Sequence, residues 1–493
     1  MIAWVFALLL TAPGGSDDAP LLLAVKQQDK GAVRALLQQR ADVNAVDGDG
    51  ASALHWAVYR DDAELVDLLI AAGAKVDAAN DLAITPLYLA SVNGNAAIAK
   101  RLLDNGANPN AASATGVAPL MEAARSGSVD VLRALLARGA DVNVKERDRG
   151  QTALMWAAAR QHPDVVKLLV GHGADVHART RVRKLTVMLD QGPRRTVKTA
   201  AQDAKQIDAG GSTPLLFAAQ TGDIESARVL IAAGANPNDT AADGSSALVL
   251  AIFSGQPEVA RVLLDAGANP DAGDAGYAPL HVAMLRGDLA SGKALLAKGA
   301  NPNVTITKGS PVRRFGSQWA LTTPMVGATP LLVAATFLEV ELVRLLLAAG
   351  ANASLGLSDG TTPLLAAAGI AVEKETRPSD LIRWNIVDSD QPVIPRDERD
   401  VLEAVKLLLN AGSDVNHANA AGDTSLHAAA GAGMTTLIQL LADSGARLDG
   451  KNKTGQTPLA LTMPTVGPVQ GRPSPAPGLK GAEELLRKLG ASR

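Results

Sequence analysis

The sequence predicts an all-α repeat solenoid, with about twelve β-turn/helix/helix units stacked into a curved array that carries loop insertions. One observation behind this prediction is a leucine that returns every 32 to 34 residues wherever the spacing is regular. A second is a Gly-Ala or Gly-Ser pair nineteen residues after most of these leucines. A third is a composition with 47% hydrophobic but only 3% aromatic residues, which favours small helices packed side by side. The leucines are Leu21, Leu54, Leu87, Leu120, Leu154, Leu215, Leu248, Leu280, Leu331, Leu364, Leu426 and Leu459.

The unit at residues 48–80 shows why each element is expected. Ser52 can cap the first helix. In other units a Thr takes the capping position, and the Pro that follows it has no N–H to satisfy. Leu54 and Val58 give this helix a short apolar face. The second helix has apolar residues at helical spacing and ends at Gly73, which suits a left-handed cap. Helices of two or three turns are marginal alone, so the units must stack.

These units resemble the ankyrin repeat, whose signature is T-P-L-H-x-A. The match is closest at residues 52–57, 278–283 and 424–429, and the resemblance covers nearly everything from Asp18 onward except the insertions. The resemblance implies a His that braces adjacent turns. It also implies that a partner is contacted by the tips of the β-turns between units, called fingers, and by the ends of the first helices. In the first unit Arg40 replaces the capping Gly. Most units replace the His, by Tyr88, Met121, Met155, Leu216, Val249, Leu332 or Leu365.

Breaks in the period predict the domain boundaries. The first two insertions follow a turn between units, so we expect them to enlarge finger loops, while the third splits the tenth unit. The predicted segments are a signal peptide at 1–16, repeats 1–5 at 17–177, a basic insertion at 178–210, repeats 6–8 at 211–303, an insertion at 304–326, repeats 9–12 at 327–462 with an insertion at 370–399, and a Pro-rich linker with a terminal cap helix at 463–493.

The N-terminal segment predicts a periplasmic or secreted protein, with a cytoplasmic location as the alternative. Ile2 to Leu10 is an uncharged apolar run followed by small and turn-forming residues, as in a secretory signal peptide. No Lys or Arg precedes Lys26, however, so an apolar cap or a misassigned start remains open. The run is too short to cross a bilayer, and no transmembrane span is expected.

The first insertion is a basic loop for which two interpretations stay open, a partner contact and a loop that is merely solvated. Arg179, Arg181, Arg183, Arg194 and Arg195 outnumber its acidic residues. The excess of positive charge would suit contact with an acidic protein surface, a nucleic-acid backbone or an anionic lipid. The alternative is that the charges only keep the loop solvated. Nucleic acid is disfavoured because the segment has no aromatic residue for stacking and the chain carries a net charge of −3.

The other insertions hold aromatic residues that are scarce elsewhere. Arg313, Arg314, Phe315 and Trp319 lie in the second insertion and Trp384 in the third. Trp and Arg are enriched at binding hot spots, so these residues are predicted to contact a partner. The alternative is that each ring folds back to cover its own insertion.

The resemblance implies further partner contacts near the end of each first helix, on the concave side. Phe253, Leu285 and Phe337 would form an apolar patch there, unless they pack on adjacent helices. Trp56 and Trp156 occupy equivalent positions and are expected to fill the core. The implied contact residues are Tyr59, Arg60, Asn93, Arg125, Arg160, Gln220, Phe253, Leu285, Arg286 and Phe337.

The sequence offers no catalytic motif. It has no Cys, which excludes thiolate chemistry and disulfides, and no H-E-x-x-H or G-x-S-x-G pattern. A partial phosphate-loop pattern at 287–294 has Ala294 where a hydroxyl is required. We therefore predict a monomeric, non-catalytic scaffold for protein–protein interaction, without cofactor or metal, whose protein partner is unidentified. The alternatives are a regulatory or inhibitory subunit of an exported enzyme and, less favoured, an enzyme whose site is built from the insertions.

Overall fold

The structure, a computed structural model, describes residues 19–188, 204–308, 310–313, 319–322, 325–370, 397–463 and 479–491. Within these residues twenty-four helices form twelve consecutive pairs, which confirms the predicted repeat solenoid. The chain divides into two compact units. One comprises Met1–Arg183 with Gly210–Asn236, and the other Lys184–Ala209 with Pro237–Arg493. The predicted signal peptide at 1–16 lies outside the described residues.

The first unit contains repeats 1 to 6. Its helix pairs are α1 (Pro20–Lys26) with α2 (Lys30–Gln38), α3 (Ala53–Tyr59) with α4 (Ala63–Ala71), α5 (Pro86–Asn93) with α6 (Ala96–Asp104), α7 (Pro119–Ser126) with α8 (Val129–Ala137), α9 (Ala153–Ala159) with α10 (Pro163–Gly171), and α11 (Pro214–Thr221) with α12 (Ile224–Ala232). Each first helix packs against its own second helix, and α1, α3, α5, α7 and α9 also pack against the first helix of the next repeat.

The second unit contains repeats 7 to 12. Its helix pairs are α13 (Ala247–Phe253) with α14 (Pro257–Asp265), α15 (Pro279–Arg286) with α16 (Leu289–Ala297), α17 (Pro330–Thr336) with α18 (Val340–Ala348), α19 (Pro363–Ala368) with α20 (Glu398–Asn410), α21 (Ser425–Ala432) with α22 (Thr435–Asp443), and α23 (Pro458–Leu461) with α24 (Leu479–Lys488). α24 contacts α21, α22 and α23. None of the described helices has the length and apolar character that crossing a bilayer requires.

The recurring leucines form the core of every repeat. All twelve are at most 2% exposed. Alanines fill the space around them, for example Ala57, Ala90, Ala123 and Ala157, each 0% exposed. Small side chains let adjacent first helices approach closely, because a close-packed interior leaves no room for a larger group.

Capping residues set the helix ends. Thr85 accepts a backbone N–H with its hydroxyl at the start of α5, and Pro86 follows it. Gly73 ends α4 with φ +91°, and nothing lies within 4 Å of the position that its Cβ would take. The backbone angle alone therefore favours glycine there. Arg40 adopts φ +60° at the equivalent position of the first repeat, which costs roughly 1 kcal/mol.

The first two insertions lengthen a finger turn, meaning the β-turn between two repeats. In a regular finger turn the N–H of Asn80 donates to the carbonyl of Ile84 at 3.0 Å. Thr180 makes the same bond to Ser212, and Ile306 makes it to Ala328. The inserted residues continue from these closing bonds as two-stranded hairpins, which the all-α prediction did not include. The hairpins are β1 (Arg183–Met188) with β2 (Ala204–Ala209) and β3 (Ser310–Arg313) with β4 (Trp319–Thr322).

In several repeats an asparagine after the second helix bridges to the next repeat. The side-chain amide of Asn110 donates to the carbonyl of Gly139 at 3.0 Å, and its oxygen accepts the N–H of Asp141 at 2.7 Å. Asn143, Asn238, Asn303 and Asn416 make the same two bonds one repeat further along. The sequence predicts an extended turn here, and the structure adds that the turn residue ties two repeats together.

Three histidines brace neighbouring finger turns, as the resemblance implied. The Nδ1 atom of His281 accepts the backbone N–H of Ala278 at 3.1 Å. Its Nε2 lies 3.1 Å from the carbonyl of Ala328, to which it must donate. His55 and His427 make the equivalent pairs of bonds. This arrangement requires the neutral imidazole with the proton on Nε2.

We expect Asn110→Asp to lower the free energy of unfolding by about 1 kcal/mol, because a carboxylate cannot donate to the Gly139 carbonyl. Asp77 already occupies this place in the second repeat and accepts the N–H of Asn108 at 2.8 Å. The matched change Asp77→Asn should therefore leave stability equal or raise it. Urea unfolding followed by circular dichroism measures both, and equal stability of Asn110→Asp and the parent would contradict the bridging role.

The stability of the fold should fall as the pH drops below about 6.5. Burial lowers the pKa of His281 from 6.5 to about 4, so the unfolded chain binds a proton that the folded chain refuses. The stabilisation is complete above pH 6.5 and is lost as the pH falls towards 4, with a total of about 3 kcal/mol.

Urea unfolding across this pH range should show a flatter pH dependence for His281→Gln than for the parent. Parallel pH profiles for the two proteins would show that His281 is not the group responsible.

Candidate functional site

The ends of the first helices present a row of side chains of mixed exposure. The predicted contact residues that are exposed are Arg60, Asn93, Arg160 and Gln220. Those that are half-buried are Tyr59, Arg125, Phe253 and Arg286. The remaining two are buried.

The apolar patch expected in repeats 7 to 9 is not exposed. Leu285 is 6% exposed and Phe337 is 7% exposed, and only Phe253 of the three has partial access to solvent. Because α15 packs against α17 and α17 against α19, apolar side chains on these helices are covered by the neighbouring repeat. Leu285 and Phe337 are therefore core residues, in agreement with the alternative interpretation that they pack on adjacent helices.

An aromatic cluster supports the exposed residues of the second repeat. Trp56 is 5% exposed and donates from Nε1 to Asp47 at 2.9 Å. The ammonium of Lys26 lies 4.5 Å from the centre of the Trp56 ring. Tyr59 meets the same indole edge-on, with 6.0 Å between ring centres, and the Arg60 guanidinium lies 6.0 Å from the Tyr59 ring.

Trp156 differs from its counterpart Trp56. It is half-buried, and its Nε1 donates to the side-chain oxygen of Gln151 at 3.1 Å. The prediction that both tryptophans fill the core therefore holds fully only for Trp56. Trp156 therefore keeps partial access to solvent.

A buried carboxylate holds Arg125 in place. Glu122 is 2% exposed and accepts the hydroxyl of Tyr88 at 2.7 Å. Its other oxygen accepts the Nε–H of Arg125 at 2.6 Å. Burial together with the Glu122 charge raises the pKa of Tyr88, so the phenol stays protonated and continues to donate. Arg125 thus reaches the surface in a fixed orientation.

Backbone carbonyls of the preceding repeat anchor two other predicted contacts. The amide of Asn93 donates to Val58 at 3.0 Å. The Nη1 of Arg286 donates to Phe253 at 2.7 Å, and burial lowers the pKa of Arg286 below its usual value. Both side chains are therefore ordered by the stack itself.

The basic insertion is only partly described. Arg179 donates to the carbonyl of Gly211 at 2.8 Å, and Arg181 donates to Arg147 at 2.7 Å. Arg183 begins β1 and lies 3.8 Å from Asp148. Arg194 and Arg195 lie outside the described residues.

For the other two insertions, only the backbone positions of Arg313 and Trp319 are described among the predicted contact residues. Arg313 and Trp319 face each other across the β3–β4 hairpin. Arg314, Phe315 and Trp384 lie outside the described residues.

Sequence reasoning missed Arg147 and Arg149, which the structure places beside Arg181. The available signal was the repeat period, because Arg181 follows Arg147 by one repeat length of 34 residues. Arg147 and Arg149 belong to a regular finger turn, where no break in the period draws attention to them.

The partial phosphate-loop pattern has a structural origin. Gly287 ends α15 with φ +65°, and a Cβ on Gly292 would come within 3.1 Å of Leu342 Cδ2. A helix cap and close helix packing therefore favour glycine at these two places. Among the described residues no group of three or more His, Asp or Glu side chains is placed to hold a metal ion.

Comparison with known proteins gives a family match and similar proteins, of which two are described. A family model described as "Ankyrin repeats (3 copies)" matches residues 5–80, 21–113, 54–146, 87–180, 185–274, 215–306 and 397–463, which together exceed half of the chain. Residues 307–396 are unmatched, although the structure has α17, α18 and α19 there. Insertions on either side interrupt the period in that region.

The "Neurogenic locus notch homolog protein 1" of Xenopus tropicalis is 43% identical over 197 residues. That alignment spans 38% of this chain and only 8% of the relative. A crystal structure of the human ASB11 ankyrin repeat domain is 27% identical and aligns with 51% of this chain and 99% of that chain, with a TM-score of 0.41.

We expect Tyr88→Phe to destabilise the protein by about 1–3 kcal/mol, because it leaves the buried Glu122 without one of its two donors. The same change in a Glu122→Leu background should cost less, because no carboxylate then remains to be satisfied. A urea-unfolding double-mutant cycle measures the coupling. Additive effects of the two changes would show that the hydrogen bond does not stabilise the fold.

Proposed function

The chain belongs to the ankyrin-repeat family, and we propose that it is a non-catalytic scaffold that binds another protein through its first-helix ends and finger turns. Ankyrin repeats generally mediate protein–protein interaction, which supports a protein as the partner. The observation that carries the proposal is the anchoring of the first-helix ends. Arg125 is held by Glu122, Arg286 by the Phe253 carbonyl and Asn93 by the Val58 carbonyl.

Rigid display is the mechanism that this anchoring supports. A side chain that is already ordered loses little rotamer freedom on binding, so more of each contact energy appears as affinity. Asn93, Arg125 and Arg286 are side chains of this kind, and a partner that spans several repeats would engage them together with the exposed residues at neighbouring first-helix ends. Arg and Tyr predominate among them in repeats 2 to 5, and these residue types are enriched at binding hot spots.

The proposal keeps the non-catalytic assignment because the ankyrin fold is typically an interaction scaffold. Export is also part of the proposal, supported by the apolar run from Ile2 to Leu10. N-terminal sequencing of the mature protein tests it, and an intact Met1 would overturn it.

The binding surface is tested with the triple variant Arg60→Ser, Arg160→Ser, Gln220→Ser, which changes three exposed residues at first-helix ends. Affinity capture from the native cell extract, followed by mass spectrometry, identifies proteins held by the parent chain. The affinity of a captured partner for the variant should fall roughly tenfold or more.

The matched control is Lys100→Ser, Arg133→Ser, Lys167→Ser, which changes three exposed residues on second helices. The control should capture the same proteins as the parent, and circular dichroism melting should show that both variants are folded. A partner retained by the first variant and lost by the control would move the interface to the second helices.

A further inference from the structure

Two neighbouring finger turns bring four arginines together in the first unit. The backbone N–H of Arg181 donates to the carbonyl of Arg149 at 2.6 Å, which joins the two turns. The Arg181 side chain donates to the carbonyl of Arg147 at 2.7 Å. Arg183 continues from the same turn, and all four side chains are exposed. We call Arg147, Arg149, Arg181 and Arg183 the arginine patch.

The positive charge of the arginine patch is not matched by acidic groups in the described part of the chain. Asp148 is the one carboxylate there that pairs with it, at 3.5 Å from Arg149 and 3.8 Å from Arg183. Glu146 is 6% exposed and accepts the backbone N–H groups of Asp148, Arg149 and Gln151. Its carboxylate is committed to the turn, so among the described residues the four guanidinium groups share one exposed carboxylate, Asp148.

Backbone carbonyls, and not carboxylates, fix two of these side chains. Arg147 donates from Nη1 to Ala114 at 3.2 Å, and Arg181 donates from Nη1 to Arg147. A carbonyl orients a guanidinium without cancelling its charge. Exposed arginines on helices differ, because Arg133, Arg228 and Arg261 each lie near a carboxylate three residues before them.

We propose that the arginine patch binds a carboxylate-rich acidic segment of a protein partner. The planar guanidinium fork matches a carboxylate with two parallel hydrogen bonds, and its fixed position reduces the entropy lost on binding. Residues 144–152 and 178–184 contain no aromatic side chain on which a nucleic-acid base could stack. The proposal rests on the proposed function, since it names the class of partner that the scaffold would hold.

The test uses the full chain and a fluorescent oligo-glutamate peptide, with binding followed by anisotropy. The variant Arg147→Gln, Arg149→Gln, Arg181→Gln should weaken binding about tenfold, since each surface ion pair contributes modestly. Binding to the parent should fall as salt is raised. The control Arg133→Gln, Arg228→Gln, Arg261→Gln removes the same charge elsewhere and should change the affinity less than about twofold.

The lysine variant Arg147→Lys, Arg149→Lys, Arg181→Lys keeps the charge and should recover part of the binding, which separates charge from any effect of the glutamines on folding. Three results would overturn the proposal. They are no binding of the peptide to the parent, equal loss in patch and control variants, and patch-dependent binding of single-stranded oligonucleotides in preference to oligo-glutamate.

The first-helix variant Arg60→Ser, Arg160→Ser, Gln220→Ser should bind oligo-glutamate normally. Loss of the native partner by the first-helix variant is therefore distinguishable from loss of oligo-glutamate binding by the arginine-patch variant. The scaffold proposal can fail while the arginine patch still binds acidic peptide, and the reverse can also occur.

Discussion

The rest of the structure depends on repeats stacking at a fixed spacing, and in several repeats a side-chain amide spans two of them to hold it. Asn110, Asn143 and their counterparts each donate to a glycine carbonyl of the next repeat and accept an N–H from the residue two positions beyond that glycine. One asparagine thus satisfies the end of a second helix and fixes the distance to the next repeat. Two short helices could not hold that spacing alone, because each repeat is stable only against its neighbours.

Fixed spacing then aligns the finger turns. The N–H of Ala114 donates to Leu82, Arg147 donates to Thr115 and Arg181 donates to Arg149, each bond joining one finger turn to the turn before it. An insertion in a finger turn leaves these bonds intact, because its extra residues leave and return through one closing pair such as Thr180 with Ser212. Insertions can therefore vary without disturbing the stack.

The candidate surface makes use of the same order. Groups at the first-helix ends are anchored to the repeat before them, and charged groups are anchored either by a buried carboxylate, as in Arg125, or by carbonyls, as in Arg147 and Arg181. The first kind of anchor neutralises the arginine and the second does not. The arginine patch combines both features, because carbonyls hold Arg147 and Arg181 without neutralising them and Arg149 and Arg183 share one carboxylate, Asp148.

The sequence by itself determined the repeat unit, its leucine core, the glycine caps and the number of helix pairs, because these follow from local spacing and backbone preference. It also located the insertions, since each one breaks the period. Tertiary structure alone decided which side chains are covered by the adjacent repeat. Leu285 and Phe337 are buried and Trp156 is partly open because exposure depends on the neighbour's side chains as well as on the residue's own helix. The pairing of Arg147 and Arg149 with Arg181 likewise required the stack, because residues one repeat apart in sequence become neighbours only when the finger turns align.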